Sequence, residues 1–428
     1  MSQRSSSSTW SLGSVAAAWR RLPVPPSLRR NLARPIYQAL SLMAHLARWP
    51  APRPVASLTP GDLVVSSFAH EVMGLGSGAR MTLAGLRQAG LEPISEDIGF
   101  LRTEPLYDHR PLPGRPAGGV WISQCNPPEM DRLFFAHRAA NLAQRYRIGY
   151  WAWELERPPA SWARSARGLN EIWTPSQFVC DAVRKIVPPD RHDMVKVVPH
   201  PSRDMTGVQP DRTGLKLPQN AMVVLVMADL RSTSARKNPK AAIDAFLRAF
   251  PEPTDRAHLV CKLVAHEAAP EEYARLESAL GKRPDVTLMT DHLSDSDVWR
   301  LMASSDVLLS LHRSEGYGLA LAEAMQLERC VVATGWSGNM DFMDNDCGVL
   351  VPYQLTPVGS QAGPYSTTGG RWAEPDVEFA AQALRSLLAD PARRTRLGHE
   401  AAKRINDHQA RFHRAVADAP WRSLLIRN

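Results

Sequence analysis

Two carboxylates spaced around glycines are the residues of this chain best suited to chemistry. In the segment Ser310–Met325, SLHRSEGYGLALAEAM, Glu315 and Glu323 are separated by seven residues, with Gly316 and Gly318 between them. The apolar run ahead of them reads as a strand, so Glu315 falls in the loop at a strand's carboxyl end, where open α/β sheets bind ligands. Glycines there let the backbone approach a ligand closely. A helix starting near Leu319 would offer free N–H groups to a diphosphate, with Gly316, Tyr317, Gly318 and Leu319 forming the receiving turn. Glu323, one turn further on, can aim its carboxylate at diol hydroxyls. The same spacing occurs on ordinary solvated helix faces; the position after a strand and around two glycines is what favours a site.

Cations lie in a second loop. In ADLRSTSARKNPK, from Ala228 to Lys240, Arg231, Arg236 and Lys237 follow the strand-like MVVLVMA and precede a helix opening at Asn238 and Pro239. Such a loop can clamp phosphate, or it can be a basic surface turn. A third loop, GLGSGAR from Gly74 to Arg80, brings Gly76 and Gly78 after the first predicted strand, another geometry for approaching phosphate. Glu96 and Asp97 lie about 20 residues beyond Gly76, the spacing of a ribose-binding acid in a dinucleotide fold, so an NAD(P)-dependent oxidoreductase is a competing reading. Finally, WAWELERPP places Trp151, Trp153, Glu154 and Glu156 at the end of an apolar strand, a mixture common in sugar sites and equally at home in a core. Trp162 and Trp173 read as structural anchors, and His200 and His312 are as readily satisfied structural histidines as ligands.

These loops need a scaffold. From Gly61, short β-rich runs (LVVSSFA, VWIS, IGYWAW, IWTPS, VKVVPHP) alternate with amphipathic stretches, which predicts a parallel, doubly wound sheet. A polar gap from Ser202 to Asn220 precedes a second series: MVVLVMA, HLVCKLV, VTLM, VLLSLH and CVVATG. The reading is therefore α/β: two Rossmann-like domains facing a shared cleft, with an N-terminal domain over 59–205, a C-terminal domain over 206–405 and a helical tail over 406–428. Residues 1–58, rich in Arg, Pro and Ala, form a separate basic arm that is either loosely ordered or an interfacial helix around Trp19, Leu42, Met43 and Leu46.

Composition narrows the class. The chain has 428 residues, 44% hydrophobic and 22% charged, as a globular enzyme does. No run reaches the roughly 18 to 20 apolar residues that span a bilayer. The net charge of +8 is spread among acidic residues, which argues against nucleic acid and suits anionic small molecules or an anionic membrane face. Cys125, Cys180, Cys261, Cys330 and Cys347 lack ligand spacing and read as reduced core residues of a cytoplasmic protein. Asp295 and Asp297 form a literal D-x-D, but Ser294 before them reads as a helix cap, so no metal or other cofactor is expected.

EGYGLALAE resembles the E-x7-E signature of family 4 (group 1) glycosyltransferases, which have the two-domain GT-B fold. TGWSGNMDFM from Thr334, RKNPKAAIDAFLRAF from Arg236, and GYWAWELERPP with EIWTPSQFV are similar to a bacterial branch of that family. The resemblance covers roughly Gly61 to Ile405. It implies retaining transfer of a hexose from a nucleotide diphosphate sugar to a hydroxyl acceptor. A carbohydrate or glycolipid acceptor with peripheral contact at the inner membrane face suits the basic arm, and a small-molecule or protein acceptor fits as well. The resemblance also implies that Glu315 contacts the donor hexose and Glu323 the ribose, and that Lys237 and an upstream arginine, Arg231 or Arg236, bind the pyrophosphate. The expected catalytic set is Glu315, Lys237 and Arg236. On the acceptor side stand Glu154 and, as the counterpart of a histidine that many relatives present to the sugar, His70. A non-catalytic carbohydrate-binding descendant of the fold is a third reading.

Overall fold

The protein is described by a computed structural model over residues 50–71, 74–103, 110–137, 139–231, 233–359, 362–365 and 369–426. The sequence readings for residues 1–49 lie outside the described residues. The chain forms two compact units. The first comprises the chain up to Trp151 together with Ala160–Trp173 and Val416–Asn428, and the second comprises Ala152–Pro159 and Thr174–Ala415.

In the first unit β1 (Leu63–Ser67), β2 (Ile94–Asp97), β3 (Val120–Gln124), β4 (Tyr146–Tyr150) and β5 (Glu171–Thr174) run in the order β2-β1-β3-β4-β5. The pairs are parallel, as alternation of strand and helix requires. β1, β3 and β4 are buried along their whole length, the pattern of central parallel strands covered on both faces. Trp121, Trp151, Trp162 and Trp173 are buried here, the last against Trp421 from the chain's end.

The second unit begins its own sheet with β7 (Met222–Asp229), after the short β6 (Val195–Val197). β8 (Ala257–Val264), β9 (Val286–Met289), β10 (Val307–Ser310), β11 (Cys330–Thr334) and β12 (Val349–Val351) complete it in the order β12-β11-β10-β7-β8-β9, all parallel. A small antiparallel pair, β13 (Tyr353–Pro357) and β14 (Arg371–Pro375), follows. β10, which leads into the glutamate loop, lies between β7 and β11, so strand registry holds the loop from both sides. A helix cap falls where the sequence places it, Ser294 Oγ accepting from the Asp297 N–H; at the start of helix Pro391–Ala417 Asp390 Oδ1 accepts from the Arg393 N–H. The five cysteines are buried and unbridged.

The units do not divide at Ser202–Asn220, where the sequence places the boundary. Segments 152–159 and 174–201 belong to the second unit because they bond to its loops: Ser176 Oγ donates to the Gly316 carbonyl at 2.6 Å, and the Gln177 N–H donates to Asp341 Oδ2 at 2.7 Å. The last residues return to the first unit, where the Gly61 N–H donates to the Leu424 carbonyl at 2.8 Å. The predicted tail over 406–428 is accordingly split between the end of a long helix and this returning segment.

Candidate active site

The loop after β10 is held mainly by its backbone. The Glu315 N–H donates to Ser337 Oγ at 2.8 Å and the Gly338 N–H returns a bond to the Glu315 carbonyl at 2.9 Å. Gly338 has no room for a side chain: a Cβ would sit 2.3 Å from the Gly316 carbonyl oxygen and 2.8 Å from the Tyr317 nitrogen. Gly318 turns the chain at φ 99°, a conformation that favours glycine, and the helix Leu319–Gln326 begins at the next residue. Tyr317 is buried between the rings of His200, Phe342 and His408, 5.1 to 5.9 Å away. An aromatic anchor therefore locks the turn whose backbone N–H groups open the helix.

Two cations grip the first carboxylate. Lys237 Nζ lies 2.5 Å from Glu315 Oε1, and Arg236 Nη1 lies 3.1 Å from Glu315 Oε2 and donates to the Ser314 carbonyl at 2.8 Å. They arrive from a single turn, Ser234–Lys237, that ends at Asn238 with φ 50° and passes into helix Pro239–Ala249. The left-handed residue redirects the chain so that both side chains face the β10 loop, and the Arg313 N–H ties to the Arg236 carbonyl at 2.8 Å. Burial alone would raise the Glu315 carboxyl, but Lys237, Arg236 and His312 beside it hold it down at about 2. The same pairing outweighs burial for Arg236, whose affinity for its proton rises. Burial lowers His312, which bonds through Nε2 to Asn339 Oδ1 at 3.2 Å.

Arg231 stands apart from this cluster. Its guanidinium pairs with Asp229 at 2.8 Å and is half exposed, so of the two arginines it is Arg236 that joins Lys237. Glu323 is buried and meets a cation on which the sequence reading was silent: Arg203 Nε donates to Glu323 Oε1 at 2.6 Å. Arg203 lies in the polar stretch read as a linker, and its backbone is clasped by Gln326 through bonds of 3.1 and 3.3 Å. Only the fold brings that stretch to the helix bearing Glu323. His200 is buried beside Tyr317 and pushed down to about 3 by burial and then by Arg203, a structural histidine in this setting.

Two readings are corrected. Gly76 and Gly78 do not form a loop: Gly74–Gln88 is a helix, and both glycines are buried on it. A Cβ on Gly76 would lie 2.2 Å from the Glu71 carbonyl oxygen, so this glycine serves close packing of helix and preceding chain. Glu154, expected on the acceptor side, belongs to the second unit: it accepts at 2.8 Å from the Tyr365 hydroxyl, and its main-chain carbonyl accepts from Ser314 Oγ. His70 occupies an exposed turn of the first unit. Among the described residues no group of three or more His, Cys, Asp or Glu is placed to hold a metal ion, and no helix is long and apolar enough to cross a membrane.

Comparison with known proteins matches part of the chain to one family. The family described as glycosyl transferases group 1 matches residues 230–361, which include both cations and Glu315 and Glu323. A D-inositol 3-phosphate glycosyltransferase of Kineococcus radiotolerans is 27% identical over 230 residues, 53% of this chain and 49% of that protein, so the match spans about half of the relative's length. Among solved structures, the Anabaena protein HepE in complex with UDP and glucose aligns over 84% of this chain and 98% of its own, with TM-score 0.57 and 16% identity. A glycosyltransferase from Rickettsia africae aligns over 86% and 100%, with TM-score 0.60 and 13% identity. Residues 230–361 are thus similar to the glycosyl transferases group 1 family, and the chain has the α/β fold of GT-B glycosyltransferases.

Proposed function

We infer that this chain, whose residues 230–361 are of the glycosyl transferases group 1 family, moves a hexosyl group from a nucleoside diphosphate sugar to a hydroxyl acceptor, with retention at the anomeric carbon. The pairing of Glu315 with both Lys237 and Arg236 beside the N-terminus of helix Leu319–Gln326 carries the reading. Lys237 is 28% exposed and meets the diphosphate together with the helix N–H groups, whereas Arg236, 6% exposed, holds the Glu315 carboxylate in place for the sugar hydroxyls. Glu323, oriented by Arg203, receives the ribose diol.

The reaction then follows from charge. The bond from the anomeric carbon to the phosphate oxygen breaks with its electron pair going to the diphosphate. The acceptor oxygen bonds the carbon from the same face, and its proton passes to the departing oxygen. Cations fixed by the fold stabilise the leaving charge without reorganising, which makes a metal unnecessary in this scheme. The D-inositol 3-phosphate glycosyltransferase and the neighbour bound to UDP and glucose support a hydroxyl acceptor and a nucleotide sugar donor. Polysaccharide or glycolipid synthesis at the cytoplasmic membrane face suits the net charge of +8 and five unbridged thiols.

Thermal unfolding against UDP-, GDP- and ADP-sugars, with NAD and NADP alongside, tests the reading. A donor at 100 times its dissociation constant adds about 2.7 kcal/mol. The expected result is a raised midpoint with one nucleotide sugar, abolished in Lys237→Ala, and transfer that survives EDTA. Stabilisation by a nicotinamide nucleotide alone would overturn it, and loss of transfer in EDTA restored by a divalent cation would overturn the metal-free scheme.

A further inference from the structure

A second carboxylate is linked to the Arg236 guanidinium through the Tyr365 ring. Arg236 is paired with Glu315 at 3.1 Å, and Glu154 also acts electrostatically on its buried charge. The Tyr365 ring, 6.0 Å from the Arg236 guanidinium carbon, places its hydroxyl 2.8 Å from Glu154 Oε2. Trp153 packs on that ring with centroids 5.2 Å apart, and Ser314, the residue before Glu315, bonds the Glu154 main-chain carbonyl. The Glu154 side chain is thus oriented by a buried tyrosine, and its main chain is anchored by the glutamate loop itself. It remains partly exposed, whereas Tyr365 is 8% exposed. A hydrogen-bonded carboxylate with a buried aromatic behind it and access in front suits recognition of hydroxyl groups.

We propose that Glu154, aligned by Tyr365, contacts the hexosyl group of the donor and selects a sugar that carries no carboxylate of its own. The inference rests on the glycosyltransferase reading and adds to it a specificity residue and a substrate class. Glu315 pairs with the Arg236 guanidinium and Glu154 is linked to it through Tyr365, and Lys237 and Arg236 balance their charge until the diphosphate arrives. Once the diphosphate shares the charge of Lys237, the sugar end keeps an excess of negative charge. Sugar hydroxyls satisfy such carboxylates as donors, an amino sugar does so with added attraction, and a uronic acid is repelled. Tyr365 acts through Glu154 and is a positioning residue.

The test separates sugar from nucleotide. Affinities of the full chain for UDP, UDP-glucose, UDP-glucuronate, GDP and GDP-mannose are measured by calorimetry for the wild type, Glu154→Gln and Tyr365→Phe. The wild type is expected to bind a neutral nucleotide sugar more tightly than its bare nucleotide and, if the nucleotide is uridine, to reject the glucuronate. Glu154→Gln should lose about ten-fold of the sugar's share, consistent with losing a bond to a charged group, and bind the bare nucleotide within about two-fold of wild type. Tyr365→Phe should lose a smaller part of the same share. An unchanged sugar share in Glu154→Gln, or an equal loss for sugar and bare nucleotide, overturns the proposal while leaving the transferase reading intact. A wild type that binds none of the five, and neither ADP nor ADP-glucose, overturns both.

Discussion

Glu315 is the residue on which the others depend. A carboxylate this buried is unfavourable unless paired, and the two cations that pair with it differ in exposure. That difference separates their expected phenotypes. Arg236→Ala leaves part of a buried negative charge uncompensated and should cost about 3 to 5 kcal/mol of stability, read as a lower urea midpoint. Lys237→Ala leaves Arg236 in place and should unfold nearly as the wild type does, yet lose about 100-fold in transfer rate, since it is the cation that reaches the diphosphate. Equal destabilisation by both substitutions would contradict this division of labour.

The element that matters most is the turn from Ser314 to Leu319, held by the loop around Gly338 and by rings around Tyr317. Gly338→Ala should push the Gly316 carbonyl and the Tyr317 nitrogen outward, because the new Cβ meets backbone and not a yielding side chain. Its expected signature is loss of nucleotide affinity together with about 1 to 3 kcal/mol of stability, seen by calorimetry and urea unfolding. The histidines around Tyr317 give this element a pH limit. Burial takes His200 from 6.5 down to about 3 and His408 from 6.5 down to about 4. Above 6.5 both are neutral whether folded or not. As pH falls below 6.5, the unfolded chain binds protons that the folded chain refuses, so stability is lost by about 1.4 kcal/mol per pH unit for each histidine until its folded value is reached. His200→Phe should therefore flatten the decline between pH 6.5 and 4, measured as unfolding midpoint against pH.

At the scale of the molecule, the first unit is closed by the last residues of the chain. Trp421 is fully buried against Trp173, and Gly61 exchanges backbone bonds with Leu424 and Ile426. Trp421→Ala should cost about 3 to 5 kcal/mol, typical of emptying a buried aromatic site, and should lower the unfolding midpoint without altering the salt links of the second unit. A tail that serves only as an extension would be indifferent to the change.

The local periodicities were legible in the chain: strand and helix alternation, glycines around Glu315, and the cap at Ser294 depend on neighbours a few residues away. The identity of the residues that meet was less so. Arg203 sits in a polar stretch with no pattern of its own, and nothing local reveals that it ends 2.6 Å from Glu323. Arg231 and Arg236 are equivalent on spacing, and only the left-handed turn at Asn238 and the β10 loop separate the buried one from the half-exposed one. Gly76 reads as a loop glycine because a glycine that admits phosphate and one that admits a backbone carbonyl look alike in sequence. Sequence by itself determined the fold class and the loop that carries the carboxylates, because both follow from short-range hydrophobic pattern and backbone freedom. Tertiary structure alone decided which charges pair, which unit owns Glu154 and where the chain's end returns, because those depend on contacts between residues far apart in sequence, 78 positions for Lys237 and Glu315 and 120 for Arg203 and Glu323.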